Sequence, residues 1–304
     1  MSLTSFLKNK DVKERFRQEF PRPEFKLKKE ILAPPVTRHY LLVGTAFDYL
    51  MRFYLKCINP DAVTRRWVAE SWPLGLAMAI PGVAPLYSES SGKWHIIPER
   101  GGQLPEDAKR LVGICEQIVE QAKVVYSSYL ASGEMTDEVI KSALLLAQLD
   151  PIARNLYVDE NLGAIDDGDV TDLRNLISIM NPELFKAKKL CMLNPTFGEA
   201  SRLVGGADAD LLIDGALIEI KTTKTLKLDR NYFNQLIGYY ILFKIGGIID
   251  DAPSEPKIER LGIYYSRYGE LCTFTVRDIV DEDRLPSFIE WFKERAENRL
   301  SVKK

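Results

Sequence analysis

Cysteine is scarce in this chain, with four in 304 residues, at positions 57, 115, 191 and 272 and none in Cys-x-x-Cys spacing. Neither a zinc ribbon nor a disulfide framework can organise such a sequence, and buried free thiols are expected instead. Histidine is scarcer still. His39 and His95 are the only two, which argues against a zinc centre or a histidine-based nucleophilic triad; both read as ordinary surface or packing residues. A Gly-x-x-x-x-Gly-Lys-Ser/Thr segment is missing, so the chain is not expected to bind a nucleotide as an ATP-driven motor. Long apolar runs are missing too. The longest, Leu74 to Leu86, is broken by Gly75, Pro81, Gly82 and Pro85, and the opening residues Met1 to Lys10 have no apolar signal core. The expectation is a soluble, cytoplasmic protein without a membrane partner.

An excess of positive charge is also absent: 41 Lys and Arg stand against 43 Asp and Glu, a net charge of −2. Any attraction to a polyanion must then come from local clusters. Candidates are Arg65-Arg66, Lys186 with Lys188-Lys189, and the run from Lys221 through Lys224, Lys227 and Arg230. What the chain does have is an ordinary globular composition, 46% hydrophobic and 28% charged, enough for one large domain or two modest ones.

The most informative segment runs from Gly205 to Lys221, Gly-Gly-Ala-Asp-Ala-Asp-Leu-Leu-Ile-Asp-Gly-Ala-Leu-Ile-Glu-Ile-Lys. Asp214-Gly215 tolerates positive φ at both central positions of a type I′ turn, and apolar β-formers flank it, so a two-residue hairpin is expected. If Ile213 faces Ala216, Asp210 lies opposite Glu219 and Asp208 opposite Lys221. Alternation then places Asp208, Asp210, Glu219 and Lys221 on one face, with Ala207, Ala209, Leu211, Ile218 and Ile220 on the other. Opposed carboxylates, with Cβ atoms about 4.5–5.5 Å apart, repel unless neutralised. Surface hairpins carry solvated acids, but acids inside strands with an apolar opposite face point instead to a divalent cation. Magnesium takes one or two carboxylates and leaves positions for water and phosphate oxygens. Asp210, Glu219 and the carbonyl of Ile220 would supply such a set, with Lys221 beside a phosphate to orient or help deprotonate water.

An acid, a short gap, then Glu-x-Lys on adjacent strands resembles the PD-(D/E)XK nuclease superfamily, whose members bind magnesium or manganese and cleave phosphodiester bonds. Ala209 replaces the proline of that pattern; Asp210 is the preferred acid and Asp208 the reserve. Gln235-Leu-Ile-Gly-Tyr239 is similar to a Gln-x-x-x-Tyr element of the RecB-like exonuclease branch, and Val43 to Leu50 to its Gly-Thr-x-x-His segment, with Asp48 where that branch has a metal-binding histidine. The resemblance implies catalytic roles for Asp210, Glu219, Lys221, Gln235 and Tyr239. It implies metal ligation by Asp210, Glu219 and Ile220, with Asp48 and Asp208 as additional candidates, and nucleic-acid contacts by Lys224, Lys227 and Arg230. Asp48 has an equal alternative, pairing with Arg52 one helical turn on. Some branch members carry an iron–sulfur cluster on four cysteines; only Cys272 stands in the right region, and no cluster is expected.

These readings imply an α/β restriction-endonuclease-like fold: a mixed sheet core flanked by helices, with a mainly helical insertion. Residues 1–60 are expected to hold N-terminal helices, 61–193 the insertion, and 194–304 the catalytic sheet and a terminal helix, all in one domain. Helices are expected near 4–18, 44–58, 61–72, 105–132, 135–149, 168–180 and 284–300. A short hairpin is placed across 86–87 and 95–97, a helix capped by Asp229 and stopped at Gly246-Gly247 carries Gln235, and strands are expected at 258–266 and 270–276. Acids between Asp159 and Asp172 would repel nucleic acid or add a metal ligand. The expected activity is exonuclease-like hydrolysis of DNA, RNA staying open, in repair, recombination, phage or defence processing, with a helicase or recombination protein as partner. The alternatives are a non-catalytic binding or assembly subunit, and a metal enzyme acting on other phosphate compounds.

Overall fold

The computed structural model describes residues 2–154, 157–248 and 256–301. In chain order the elements are α1 (Leu3–Phe6), α2 (Lys10–Glu19), α3 (Tyr40–Ile58), α4 (Trp72–Ala79), β1 (Val83–Ser88), β2 (Lys93–Pro98), α5 (Glu106–Ser132), α6 (Asp137–Ala153), α7 (Asp167–Ser178), β3 (Cys191–Leu193), α8 (Glu199–Leu203), β4 (Leu211–Ile213), β5 (Ala216–Lys221), α9 (Arg230–Gly246), β6 (Arg260–Tyr265), β7 (Glu270–Thr275) and α10 (Leu285–Ser301). The chain is therefore mixed α/β, with a five-stranded mixed sheet and a separate two-stranded one. Among the described residues no helix is long and apolar enough to cross a membrane.

Two compact units divide the chain. The first comprises residues 1–32, 59–65 and 180–304; the second comprises 33–58 and 66–179. The division does not follow the expected boundaries at 60 and 193, and the helix α3, with Gly44 to Asp48, falls in the second unit.

The first unit is built on the sheet, in the order β3-β4-β5-β6-β7. β3, β4 and β5 form an antiparallel meander, β6 runs parallel to β5 across the connection containing α9, and β7 returns antiparallel. The β4–β5 turn has the predicted form: Ile213 pairs with Ala216, and Asp214 and Gly215 have φ of 44° and 79°. Asp214 also fastens the turn to the chain before β3, its carboxylate accepting from the backbone N–H groups of Lys188, Lys189 and Leu190. Leu212 and Leu217 bury one sheet face in a core with Phe6, Phe16, Phe233, Ile237, Phe288 and Phe292, contributed by α1, α2, α9 and α10. The opposite face is buried as well, and Phe185 meets Tyr264 edge-on at 4.9 Å.

Some elements differ from expectation. Pro73 was placed after a helix over 61–72, yet it sits inside the first turn of α4. Proline lacks the N–H that a first turn leaves unpaired anyway, so it opens helices as readily as it ends them. Residues 61–67 are non-helical, and Val63 instead bridges in parallel to Met192 beside β3. The expected first helix is two, α1 and α2, and the helix expected near 168–180, for which Asp169 or Thr171 offered a cap in the sequence, is capped instead by Asp166, whose side chain accepts from Gly168 N–H.

In the second unit α3, α5, α6 and α7 pack together, and β1 and β2 form a hairpin in which Leu86 pairs with His95. The acids of the 159–172 stretch are at work locally. Asp169 is buried and accepts from Thr37 Oγ1 at 2.5 Å and from His39 Nδ1 at 2.9 Å, while Asp172 accepts from Val36 N–H.

Candidate active site

Four polar side chains meet where β5 runs under α9. Glu219 leaves β5 on the face that carries Leu217, which is the face α9 covers, and it is only 4% exposed. Its Oε1 accepts from Lys221 Nζ at 2.6 Å and from Gln235 Nε2 at 2.8 Å. Gln235 binds in both directions, its Oε1 accepting from Lys221 Nζ at 3.1 Å and its Nε2 donating to Tyr239 Oη at 2.7 Å. Gln235 and Tyr239 share a face of α9 as positions i and i+4 should. Asp229 caps that helix by accepting from Asn231 N–H, as the sequence suggested.

Asp210 adjoins this group at the end of β4. Its Oδ2 accepts from the backbone N–H of Ile220 at 2.5 Å, which ties the acid across the hairpin to the residue between Glu219 and Lys221. The β4–β5 ladder ends at the pair Leu211–Ile218, and Asp210 forms a bend. That bend corrects one part of the expected register. Ala207 and Ala209 join the same core as Leu212 and Leu217 rather than siding with Leu211, because the bend breaks the strict alternation that a straight strand would keep. Asp208 is exposed and bridges to Thr196.

Electrostatics within the group are tightly coupled. Burial pulls the Lys221 ammonium down, but the charges of Glu219 and then Asp210, with the hydrogen bond to Glu219, outweigh it and raise its pKa above the ordinary lysine value. Lys221 Nζ also lies 4.9 Å from the ring centroid of Tyr232, a further favourable contact for a cation. Burial, followed by the charges of Glu219 and Asp210, pushes the Tyr239 phenol well above its usual value. Tyr239 is therefore a neutral hydrogen-bonding group and not a base.

Glu219 Oε2 is the exception to this pairing: it is buried and has no hydrogen-bond partner among the described residues. An orphaned carboxylate oxygen costs on the order of 1–3 kcal/mol or more, so its retention needs a reason. A hard divalent cation supplies one, since such ions take oxygen ligands and bind through one or two carboxylates. The donors present fit: Glu219 and Asp210 carboxylates and the Ile220 carbonyl would hold the ion. Among the described residues no group of three or more His, Cys, Asp and Glu stands together as a metal cluster.

The remaining candidates are placed as follows. Asp48, in the second unit, accepts from Arg52 Nη2 at 2.7 Å, the helical pairing weighed in the sequence. Lys224 and Lys227 are exposed on the loop after β5, whose backbone is pinned by Tyr268 Oη donating to the Lys224 carbonyl and Tyr265 Oη donating to that of Lys227. Arg230 is different. Its Nη2 donates to the carbonyls of Phe16 and Phe20, which ties α9 to α2 and gives this cation a structural task. Tyr232 was not foreseen as part of the site, although its i, i+3 and i+7 spacing with Gln235 and Tyr239 would have placed it on their face. Asn194, also not foreseen, donates its backbone N–H to the Asp210 carbonyl at 2.9 Å.

No family model, no curated protein and no solved structure matches this chain.

Proposed function

We propose that this chain is a metal-dependent phosphodiesterase acting on nucleic acid, a nuclease of the PD-(D/E)XK type with a restriction-endonuclease-like core. The observation that carries the reading is the buried, unpartnered Glu219 Oε2 set among Lys221, Gln235 and Asp210. A mixed sheet whose hairpin brings an acid of one strand beside Glu-x-Lys of the next supports it further.

Magnesium or manganese, when bound, would neutralise charge on a phosphate and acidify a water. Asp210, Glu219 and the Ile220 carbonyl are the residues that would hold it. Lys221 carries a proton at Nζ and offers its charge to a phosphate oxygen as negative charge builds there. Gln235 fixes Glu219 and Lys221 relative to one another through its two hydrogen bonds, and Tyr239 holds the Gln235 amide in turn. Lys224 and Lys227, exposed beyond β5, are the groups for neighbouring phosphates. DNA is the favoured substrate, attacked from ends in repair, recombination or defence processing, alone or beside a helicase.

A second reading has one observation of its own. Lys221 already neutralises Glu219 Oε1 at 2.6 Å, which is also what a binding subunit retaining a charge pair for stability would show. Hydrolysis of linear, circular and single-stranded DNA with magnesium or manganese separates the two. Wild-type activity that falls at least about 100-fold in Asp210→Ala and in Lys221→Ala is expected. Activity indifferent to both substitutions would remove this mechanism, and inactivity with every metal and substrate would favour the binding role.

A further inference from the structure

The neighbourhood of Asp210 holds a second unexplained oxygen. β3, β4 and β5 are adjacent, with Leu193 paired to Leu211 and Leu211 to Ile218. One residue beyond these pairs, where the β4–β5 ladder has ended, hydrogen bonds keep the neighbours together: the Asn194 N–H donates to the Asp210 carbonyl at 2.9 Å, and the Asp210 carboxylate accepts from the N–H of Ile220, next to Glu219. Asn194 Oδ1 is buried and has no hydrogen-bond partner among the described residues, like Glu219 Oε2 two strands away. Three buried side-chain amide or carboxylate oxygens of the first unit lack partners among the described residues, those of Asn194, Glu219 and Asn234. Two of the three flank Asp210.

Two acceptors without donors, on either side of an acid, are chemically alike in what they need. A hydrogen-bond donor would serve one of them, but a hard cation serves acceptors together, and amide carbonyls are among its ordinary ligands. The backbone supports a placed side chain as well: Asn194 has φ of 55°, a left-handed conformation that asparagine tolerates better than most residues and that turns the chain at the end of β3. Pro195 follows it, and proline has no N–H with which to carry the β3 ladder further.

We infer that Asn194 is an oxygen ligand of the same divalent cation, contributed by β3 beside Asp210 and Glu219. The inference rests on the metal-dependent reading of the site. It makes the ion's protein shell a row drawn from three consecutive strands of the meander, and it assigns a neutral member to a set whose other side chains are acids.

Binding of manganese to the purified chain, measured by titration calorimetry without any nucleic acid, tests this apart from catalysis. Asn194→Gly retains the left-handed backbone and removes the amide; Asn194→Asp retains a side-chain oxygen and adds charge; Glu219→Gln serves as the reference. Asn194→Gly is expected to weaken binding about tenfold or more, the scale on which metal sites respond to loss of a supporting group, and Asn194→Asp to tighten it. Wild-type affinity in Asn194→Gly with lost affinity in Glu219→Gln would overturn the role of Asn194 and spare the cation site, leaving a buried water as the partner of Oδ1. Failure of the wild type to bind manganese would overturn both. Should Asn194→Gly not fold, affinity in Asn194→Asp equal to or weaker than wild type would be decisive against the inference.

Discussion

At the scale of single residues, partnership decides which charges are available for chemistry. Arg230 and Asp48 are both partnered: the first donates to the carbonyls of Phe16 and Phe20, and the second accepts from Arg52 through Oδ2, while Asp48 Oδ1 is buried without a hydrogen-bond partner among the described residues. Nothing in residue type or spacing announces an arginine that will tie two helices together, because its partners are backbone atoms more than 200 positions away. His39 was read as an ordinary residue and turns out to be coupled to a buried acid. Its hydrogen bond to Asp169, and then that carboxylate's charge, raise its pKa above 6.5. Because the folded value exceeds the unfolded one, the pair stabilises the fold fully below about pH 6.5, and that contribution fades as pH rises through the folded value. The ring is half exposed, so the effect is small. A proton NMR titration should place the His39 midpoint above 6.5 and return it toward that value in Asp169→Asn, and the melting advantage of wild type over His39→Gln should shrink from pH 5.5 to pH 9. A midpoint at or below 6.5 in the wild type would mean that the pair does not persist in solution.

At the scale of elements, the hairpin was the most legible part, because its turn is encoded by two adjacent residues and its register follows from them. Asp214 and Gly215 predicted the Ile213–Ala216 pairing, and Asp229 with the apolar period from Tyr232 to Ile241 predicted α9, on which Gln235 and Tyr239 share a face. β3 escaped notice, since three apolar residues carry no period, and the bend at Asp210 was invisible because alternation presumes a straight strand. Pro73 misled for a physical reason already given: position within a turn, not presence, determines its effect. The hairpin also carries a stability prediction. Asp214 is drawn out of water, which raises its pKa, but the N–H groups of Lys188, Leu190 and Lys189 outweigh that and hold it below its usual value. The carboxylate's contribution is therefore present above about pH 3.8 and lost as pH falls through the lower folded value. Asp214→Ala forfeits those bonds and puts alanine at φ 44°, while Gly215→Ala puts a Cβ at φ 79° and 3.4 Å from the Lys257 carbonyl. Urea unfolding at pH 7 should show Asp214→Ala less stable by about 2 kcal/mol or more, and Gly215→Ala by about 1–2 kcal/mol. An unchanged midpoint for both would mean that the turn is not what holds β4 and β5 in register.

At the scale of the whole molecule, net charge constrains what the chain can do with a polyanion. Composition was enough to read this: 41 basic and 43 acidic residues leave no broad positive field. The division into two units was not legible, because the second is assembled from two stretches separated by residues 59–65, and no composition change marks the crossings. On the proposed function, affinity for DNA comes from a few cations at and after the end of β5, Lys221, Lys224 and Lys227. Each phosphate neutralised contributes about −0.9 to the slope of log K against log salt on a duplex. Binding measured in calcium, with salt varied between 50 and 200 mM, should then give a slope of roughly −2 to −3. In Lys224→Ala/Lys227→Ala the slope should become shallower by about 2. A slope near −6 would require an extended basic surface somewhere else on the molecule, and a double variant with wild-type slope would take Lys224 and Lys227 off the path of the substrate. The measurement reads contact number directly and does not depend on cleavage, so it tests where nucleic acid lies on this chain even for variants that cannot cut it.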